Sequence, residues 1–337
     1  MTIWDTFFNA YSGYAGYLWR EITFQVSPWY HNYFFWLLLV SGFFFLLEGM
    51  APWRTGQARF RKDFWLDFFY MFFNFFLFSL LIFHAASNVI VDLFQQFLAW
   101  FGITNLLALE VQSWPLWGHL LLGFVVRDFV QWWIHRLLHR SEFLWEFHKV
   151  HHSVEQMGFA AHLRYHWMEN VVYKSLEYLP LAMIGIGLND FFIIHIFTLV
   201  VGHYNHSNIS IPSQVTGSVL AILVSLIFIS ELSLTSWNVF GILFLAFVLG
   251  RYLLGPVMKY LFNSPEMHIW HHAYNLPEDH RHGVNFGLTL SLWDWLFGTA
   301  YIPHNGRDIR LGFPGVEQYP KSFTDQLLHG FRKNRKV

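Results

Sequence analysis

The chain has 337 residues, 55% of them hydrophobic and only 13% charged, where a soluble domain averages about a quarter charged. That deficit makes lipid part of the expected solvent, and a net charge of −1 removes the electrostatic case for a nucleic-acid partner. The absence of cysteine excludes disulfides, thiolate-ligated zinc ribbons and cysteine-ligated iron–sulfur clusters, while 17 Trp suit the headgroup zone of a bilayer.

The opening MTIWDTFFNAYSGY lacks the basic and apolar halves of a secretory signal, so membrane insertion is expected from internal segments. A spanning helix needs about 20 mostly apolar residues. The first candidate runs from Tyr33 to Met50 and the second from Phe64 to Phe83. The loop between them carries Arg54, Arg59, Arg61 and Lys62. Short basic loops stay cytoplasmic, which puts this loop inside and the N-terminus outside. Residues 85–114 are mixed and are expected at the outer interface. Trp117 to Ile134 then returns inward and ends in HRLLHR, so the polar stretch 135–170 is expected in the cytoplasm. Val171–Leu188 and Phe191–Val201 read as an out-and-back pair about a turn at Asn189–Asp190. Val215–Ser230 and Trp237–Gly250 read as a second hairpin, split at Glu231. The polar region from Arg251 onward returns to the first face. The expected fold class is all-α, a multi-span transmembrane helical bundle with a cytoplasmic histidine-rich cap.

That layout ignores histidine, yet it brings every histidine cluster to one side. The chain has 20 histidines. In HRLLH, His135 and His139 lie one helical turn apart on one face. Asp128, seven residues earlier, is placed to accept a ring N–H from a ligand and fix its tautomer; the competing reading pairs it with Arg127 or a neighbouring helix. HKVHH sets His148, His151 and His152 at i, i+3 and i+4, and HIWHH repeats the spacing with His268, His271 and His272. Two smaller groups follow the same chemistry. HLRYHWME offers His162, His166 and Glu169, and HYNHSN offers His203 and His206, with solvated loop histidines as the bland reading. So many imidazoles exceed the four ligands of a structural zinc or the three of a catalytic one. They suit two borderline-soft metals, iron or copper, with positions left open for dioxygen. Beside lipid, such a redox site points to attack on an unactivated C–H bond, with the metal supplying the chemistry and the protein the positioning.

The ordered series HRLLH, HKVHH, HIWHH resembles the signature of the fatty acid hydroxylase, or sterol desaturase, superfamily. RDFVQWWIHRLLH, HSNISIP, LGPVMKYLFNSPEMHIWHH and VNFGLTLSLWDWLFGT are similar to its other blocks, so the resemblance covers about Asp128 to Thr299. It implies two iron ions that use O2 to hydroxylate or desaturate a lipid. It carries the ligand role onto His135, His139, His148, His151, His152, His206, His268, His271 and His272. His166 corresponds to the histidine of an HPxE-like element, although Trp167 stands where Pro is common, and Glu169 would support it as a nearby acid. Asn285 and Asp294 would brace the last box. The block around HIWHH looks closest to bacterial sterol-desaturase-like proteins and alkylglycerol monooxygenases. The resemblance divides the chain into N-terminal spans (1–114), a catalytic domain (115–305) and a polar tail (306–337). It also marks an inserted apolar hairpin at about 213–253, either beside the substrate entrance or a peripheral anchor.

The expected partners are a lipid substrate drawn from the bilayer and a separate reductant, since the chain has no GxGxxG nucleotide fingerprint. A cytochrome b5 or ferredoxin chain, or tetrahydrobiopterin, would serve. The expected location is a bacterial inner membrane with the active site facing the cytoplasm. The rival functions are a membrane metal-binding or transport protein and a single-zinc membrane hydrolase.

Overall fold

A computed structural model describes residues 2–334 apart from 104–106, 110, 112 and 230–234; side chains 82–85, 87, 227, 228, 333 and 334 are not described. The expected split at Glu231 lies outside the described residues. Among the described residues the fold is helical throughout, with isolated bridges only and no strand.

Helix α1 (Ile3–Ile22) opens on a capping box, in which Thr2 accepts from the Asp5 N–H and Asp5 reaches back to the Thr2 N–H. No helix was expected there, because its apolar face is broken by polar residues. Helix α2 (Tyr33–Met50) matches the first expected span and is capped by Asn32, whose side chain accepts from the Phe35 N–H at 2.7 Å. Helix α3 (Phe64–Phe72) runs through a π-helical stretch (Phe73–Phe83) directly into α4 (His84–Trp100). The second span is therefore the first half of one continuous rod.

Helix α5 (Leu116–Arg140) is 25 residues long, or about 37 Å, and delivers HRLLH at its last turn. Helix α6 (Glu142–His152) follows at once, capped by Ser141, and carries HKVHH. Helices α7 (Trp167–Met183) and α8 (Leu188–His206) form the next antiparallel pair. The break between them falls at residues 184–187, where Gly185 adopts φ 73°, rather than at Asn189–Asp190. Asp190 instead sits in the first turn of α8, where a carboxylate favours the positive end of the helix. Helices α9 (Ser213–Ile229) and α10 (Ser236–Leu249) form the inserted hairpin, which continues through a π turn into α11 (Gly255–Leu261). Helix α12 (Pro265–His271) carries HIWHH, α13 (Leu292–Leu296) carries LWD, and α14 (Phe323–Asn334) makes the last part of the expected tail a helix. It docks through Phe323 against Phe69, Tyr70 and Phe73, and Gln326 accepts from the Tyr70 hydroxyl at 3.0 Å.

Among the described residues, three helices are long and apolar enough to cross a membrane: Tyr33–Met50, Phe64–Leu81 and Ser236–Leu261. The expected third span inside α5 has the length, but Arg127 and Asp128 interrupt it and are buried against protein instead. The basic 51–63 loop packs on the segment after α6. Arg54 Nη2 and Gln57 Nε2 both donate to the Met157 carbonyl, and Lys62 pairs with Glu155 at 2.7 Å. Loop and histidine boxes thus share one end of the bundle. Close backbone contact holds the inserted hairpin together. A Cβ on Gly217 would meet Gly255 N at 2.6 Å, and one on Gly250 would meet Ser218 Cα at 2.6 Å.

Candidate metal centre

The ends of α5, α6, α8 and α12 converge, and nine imidazoles meet there in two groups. His135, His139, His148, His152 and His271 form one; His151, His206, His268 and His272 form the other; within each group the ligand-capable nitrogens lie within 4.8 Å of one another. The boxes do not each serve one group. In both, the residues at i and i+4 on one helical face stay together when the group is theirs, and the odd member crosses over. His148 and His152 join the first group while His151 joins the second. His268 and His272 join the second while His271 joins the first. The His152 and His272 rings stack across the boundary, 4.5 Å apart and 25° from parallel.

The hydrogen bonds behind the rings fix their protonation. Five Nδ1 atoms face acceptors: His135 the Phe286 carbonyl at 2.7 Å, His148 Glu169 Oε2 at 2.8 Å, His151 the Arg164 carbonyl at 3.0 Å, His206 the Gly202 carbonyl at 2.8 Å and His271 the Val284 carbonyl at 2.7 Å. The four carbonyls only accept, and an ionised Glu169 does the same for His148, so these rings carry their proton on Nδ1 and turn an Nε2 lone pair inward. Burial opposes a second proton. It lowers His135 to about 3 and His151 to about 4, and with help from neighbouring rings it holds the other ligands well below the usual imidazole range.

The inward nitrogens then lack donors, and a bound cation would satisfy them. Nε2 of His135 and His148 face each other at 3.2 Å, and Nε2 of His151 and His206 at 3.3 Å. All four are lone pairs with no proton to share. His206 and His268 close to 2.9 Å, His268 and His272 to 3.1 Å, and Nε2 of His139, His152 and His271 are buried without a partner. Two nitrogens bound at right angles to a metal about 2.1 Å away stand about 3.0 Å apart. The spacing is that of neighbouring ligands, so the residues fit two metal ions.

One loop orients two of the ligands. Val284 and Phe286 present the carbonyls that hold His271 and His135, and Asn285 between them takes φ 53°, a conformation Asn tolerates better than most residues. The Asn285 amide donates to the Met267 and Tyr301 carbonyls, both at 2.8 Å. Asp294 accepts from the Phe286 and Gly287 N–H groups, Trp132 Nε1 and the Thr299 hydroxyl. Burial nevertheless raises its pKa, because the carboxylate has lost water. Asn285 and Asp294, expected to brace the last box, thus hold the loop whose carbonyls face His271 and His135.

Two expectations need correction. Asp128 does not hold a ligand ring, and it pairs with neither Arg127 nor a neighbouring span. It accepts from the Thr289 and Leu290 N–H groups and from Trp293 Nε1 at 2.8 Å, so it tethers the same loop one step removed. His166 lies outside both groups. It caps α7, its Nδ1 accepting from the Met168 N–H while Nε2 donates to the Leu327 carbonyl at 2.9 Å, so neither nitrogen is available. The acid three residues on does reach the centre, because Glu169 holds His148. His162 and His203 pair with each other through Nδ1 at 3.0 Å, and His203 bonds on to Ser41 at 3.1 Å. The supports at Arg164, Gly202, Val284 and Phe286 were not foreseen. All four act through backbone carbonyls, which every residue type possesses.

A cavity of about 340 Å³ opens beside the ligands, touching His135, His148, His151, His206 and His268, and extends between α5, α7 and α8. No described residue of the 213–253 insertion is among those lining it.

Fold and site together define a helical membrane protein with a polyhistidine cluster at one end of the bundle that could hold metal. The fatty acid hydroxylase model matches residues 120–222 and 211–299, and the chain belongs to that family. The two matches meet where the inserted hairpin begins. Among curated proteins, the chain is 27% identical over 225 residues to an ornithine lipid hydroxylase of Rhizobium tropici, covering 66% of this chain and 54% of that protein. It is 24% identical over 191 residues to an alkylglycerol monooxygenase of Xenopus tropicalis, covering 56% of this chain and 31% of that protein. The chain thus spans about half the length of the first relative and a third of the second. No solved structure matches it.

Proposed function

We propose that the protein is a non-haem di-iron oxygenase that hydroxylates a C–H bond of a membrane lipid with O2 and an external electron donor. The observation that carries this is the sharing of both HxxHH boxes between two groups of buried, neutral imidazoles that open onto a cavity inside the helical bundle. Two groups of this kind exceed the needs of a single zinc, which argues against a one-metal hydrolase. The two named relatives, a lipid hydroxylase and a monooxygenase, favour insertion of oxygen over desaturation.

Iron bound by the nine histidines would supply the activation of dioxygen. The chain's own residues do the rest. The carbonyls of Phe286, Val284, Arg164 and Gly202 hold the rings in one orientation, and Glu169 adds a negative charge behind His148 that offsets part of the metals' charge. Helices α5, α7 and α8 wall the cavity and exclude bulk water from a substrate chain lying in it. Electrons come from a separate partner, a cytochrome b5 or ferredoxin type of protein or a pterin. The shared end of the basic 51–63 loop and the histidine boxes supports a site facing the cytoplasm, in a bacterial inner membrane.

The test is a pair of substitutions, His151→Ala and His271→Ala, one in each group. Membranes containing each are assayed for oxygen uptake and for lipids heavier by one oxygen. Both variants are expected to remain in the membrane and to lose product. Undiminished product from both would overturn the proposal.

A further inference from the structure

Arg164 does more than lend a carbonyl to His151. It is buried, and so is Asp67 in the first turn of α3. Guanidinium Nη1 donates to Asp67 Oδ1 at 3.0 Å and reaches Asp63 Oδ2 at 3.4 Å, while Nη2 donates to the Ser153 hydroxyl oxygen at 2.7 Å. Ser153 closes α6, and its own hydroxyl donates to the Val150 carbonyl at 2.8 Å. The Arg164 carbonyl accepts from His151 Nδ1 at 3.0 Å. One residue therefore grips the end of α6 at two points, with its backbone at His151 and its side chain at Ser153. Asp67 Oδ2 also pairs with Arg61 at 2.5 Å, so the grip is anchored to α3 and to the basic 51–63 loop.

The chemistry of this anchor calls for arginine. A guanidinium offers its N–H donors in a fixed plane, so one side chain serves a carboxylate and a hydroxyl at once. Its carboxylate partners keep it in place, because parting a buried pair leaves a buried charge unpaired. The Arg164 backbone cannot swing away from His151 without breaking these bonds. Two other rings of the four-histidine group lean on nearer supports. His206 Nδ1 meets the Gly202 carbonyl of its own helix at 2.8 Å, and His268 Nδ1 meets the Asn263 amide, five residues before it, at 3.3 Å. His151 takes its aim from a residue 13 positions further on. We propose that Arg164 is a positioning residue for the four-histidine group: its guanidinium, held by Asp67 and Ser153, fixes the carbonyl that turns the His151 Nε2 lone pair into that group. The inference rests on the two-metal reading of the nine imidazoles and gives control of one of the two ions to a buried ion pair outside the histidine boxes.

The experiment uses full-length protein in detergent, stripped of metal and titrated with Co2+, whose visible absorption reports each site as it fills. Chelator competition gives the two affinities, and no turnover is needed. Arg164→Lys keeps a positive charge beside Asp67 but loses the planar fork. Ser153→Ala removes one acceptor of the guanidinium and touches no charge. Both variants retain a backbone carbonyl at position 164, so a loss reports its orientation. Arg164→Lys is expected to weaken one cobalt ion about tenfold or more and to leave the other within about twofold. Ser153→Ala should weaken the same ion several-fold. Combination identifies the site: adding His206→Ala to Arg164→Lys should leave the stronger ion in place, whereas adding His139→Ala should weaken it. A purely structural role would weaken both ions alike. Equal loss at both ions, loss confined to the five-histidine group, or wild-type affinities in either variant would overturn the positioning role. If Arg164→Lys does not accumulate in the membrane, the Ser153→Ala result decides alone. The two readings fail separately. A wild-type protein that takes up fewer than two cobalt ions would sink the two-metal reading, whereas two ions with no site preference in the variants would sink the role of Arg164 alone.

Discussion

Glu169 is the most informative single substitution, because it does two separable things. Oε2 accepts from His148 Nδ1 at 2.8 Å and Oε1 accepts from the His166 N–H at 3.2 Å, closing the cap of α7. Burial raises its pKa strongly, so the carboxylate is held against its own desolvation by these two contacts. Glu169→Ala frees the His148 ring to turn and removes the charge behind it. Loss of a support of this kind lowers metal affinity about 10–100-fold, which is about 1.4–2.7 kcal/mol. Loss of the cap contact costs a further ~1 kcal/mol of folding stability. The cap term appears with or without metal, whereas the ligand term appears only in the loaded protein. Chelator titration with elemental analysis reads the first, and melting of metal-free and metal-loaded protein separates the second. Glu169→Gln keeps an acceptor but no charge, and should fall between wild type and Ala. A Glu169→Ala protein that keeps wild-type metal occupancy through the chelator series would refute the assignment of Glu169 to His148.

Further outcomes follow from the same geometry. His206→Ala takes one of four ligands from the smaller group and His139→Ala one of five from the larger. Each should reduce bound metal from about two per chain toward one, measured by plasma emission, and the loss should be more complete in His206→Ala. Asp294→Ala leaves the Phe286 and Gly287 N–H groups and Trp132 Nε1 without their acceptor and should cost about 3–5 kcal/mol, seen as a lower melting temperature and weaker binding in the five-histidine group. Acid should strip and unfold the centre. His135 and His151 sit near 3 and 4 when folded but return toward 6.5 when unfolded. The unfolded chain therefore binds more protons below pH 6.5. Stability is fully present above that value, falls by about 1.4 kcal/mol per pH unit for each such histidine, and levels off below their folded values. Metal retention and melting between pH 7.5 and 4 check the direction, and a centre that gains stability on acidification would contradict it.

What the sequence made legible was whatever repeats at a fixed spacing. The span Tyr33–Met50 is apolar on every side, and its limits agree with the helix. Eight of the nine histidines recur at intervals of three and four, which a helix end turns to one point, while His206 stands alone among them in sequence and was legible as a ligand only through the family resemblance. His166 misled because its spacing to Glu169 is also that of a capping box, and hydrogen-bond geometry decides between cap and ligand. Asp128 misled for a related reason. Its place on the α5 face was correct, but its partners come from Thr289, Leu290 and Trp293, more than 160 residues along the chain. Helix α14 was within reach of the sequence, since Phe323, Leu327 and Phe331 recur at four-residue intervals, but the polarity of the surrounding tail obscured that face.

The split of the boxes gives the histidine doublets a physical purpose. Successive helical residues point about 100° apart, so His151 and His152 cannot both aim at one ion, nor can His271 and His272. A single-metal site would waste one member of each doublet. Two ions side by side would use both, with the i, i+4 partners His148 and His152 available to one while His151 faces the other group. HIWHH does the reverse, sending His268 and His272 to the second ion and His271 to the first. The two boxes thus interlock, each giving two ligands to one ion and one to the other, and the contact between the stacked rings of His152 and His272 marks the line between them. HRLLH lacks a doublet and serves one ion only. With four imidazoles against five, the group of His151, His206, His268 and His272 would leave a metal there more room for a further ligand, and both groups reach the cavity, the five through His135 and His148 and the four through His151, His206 and His268.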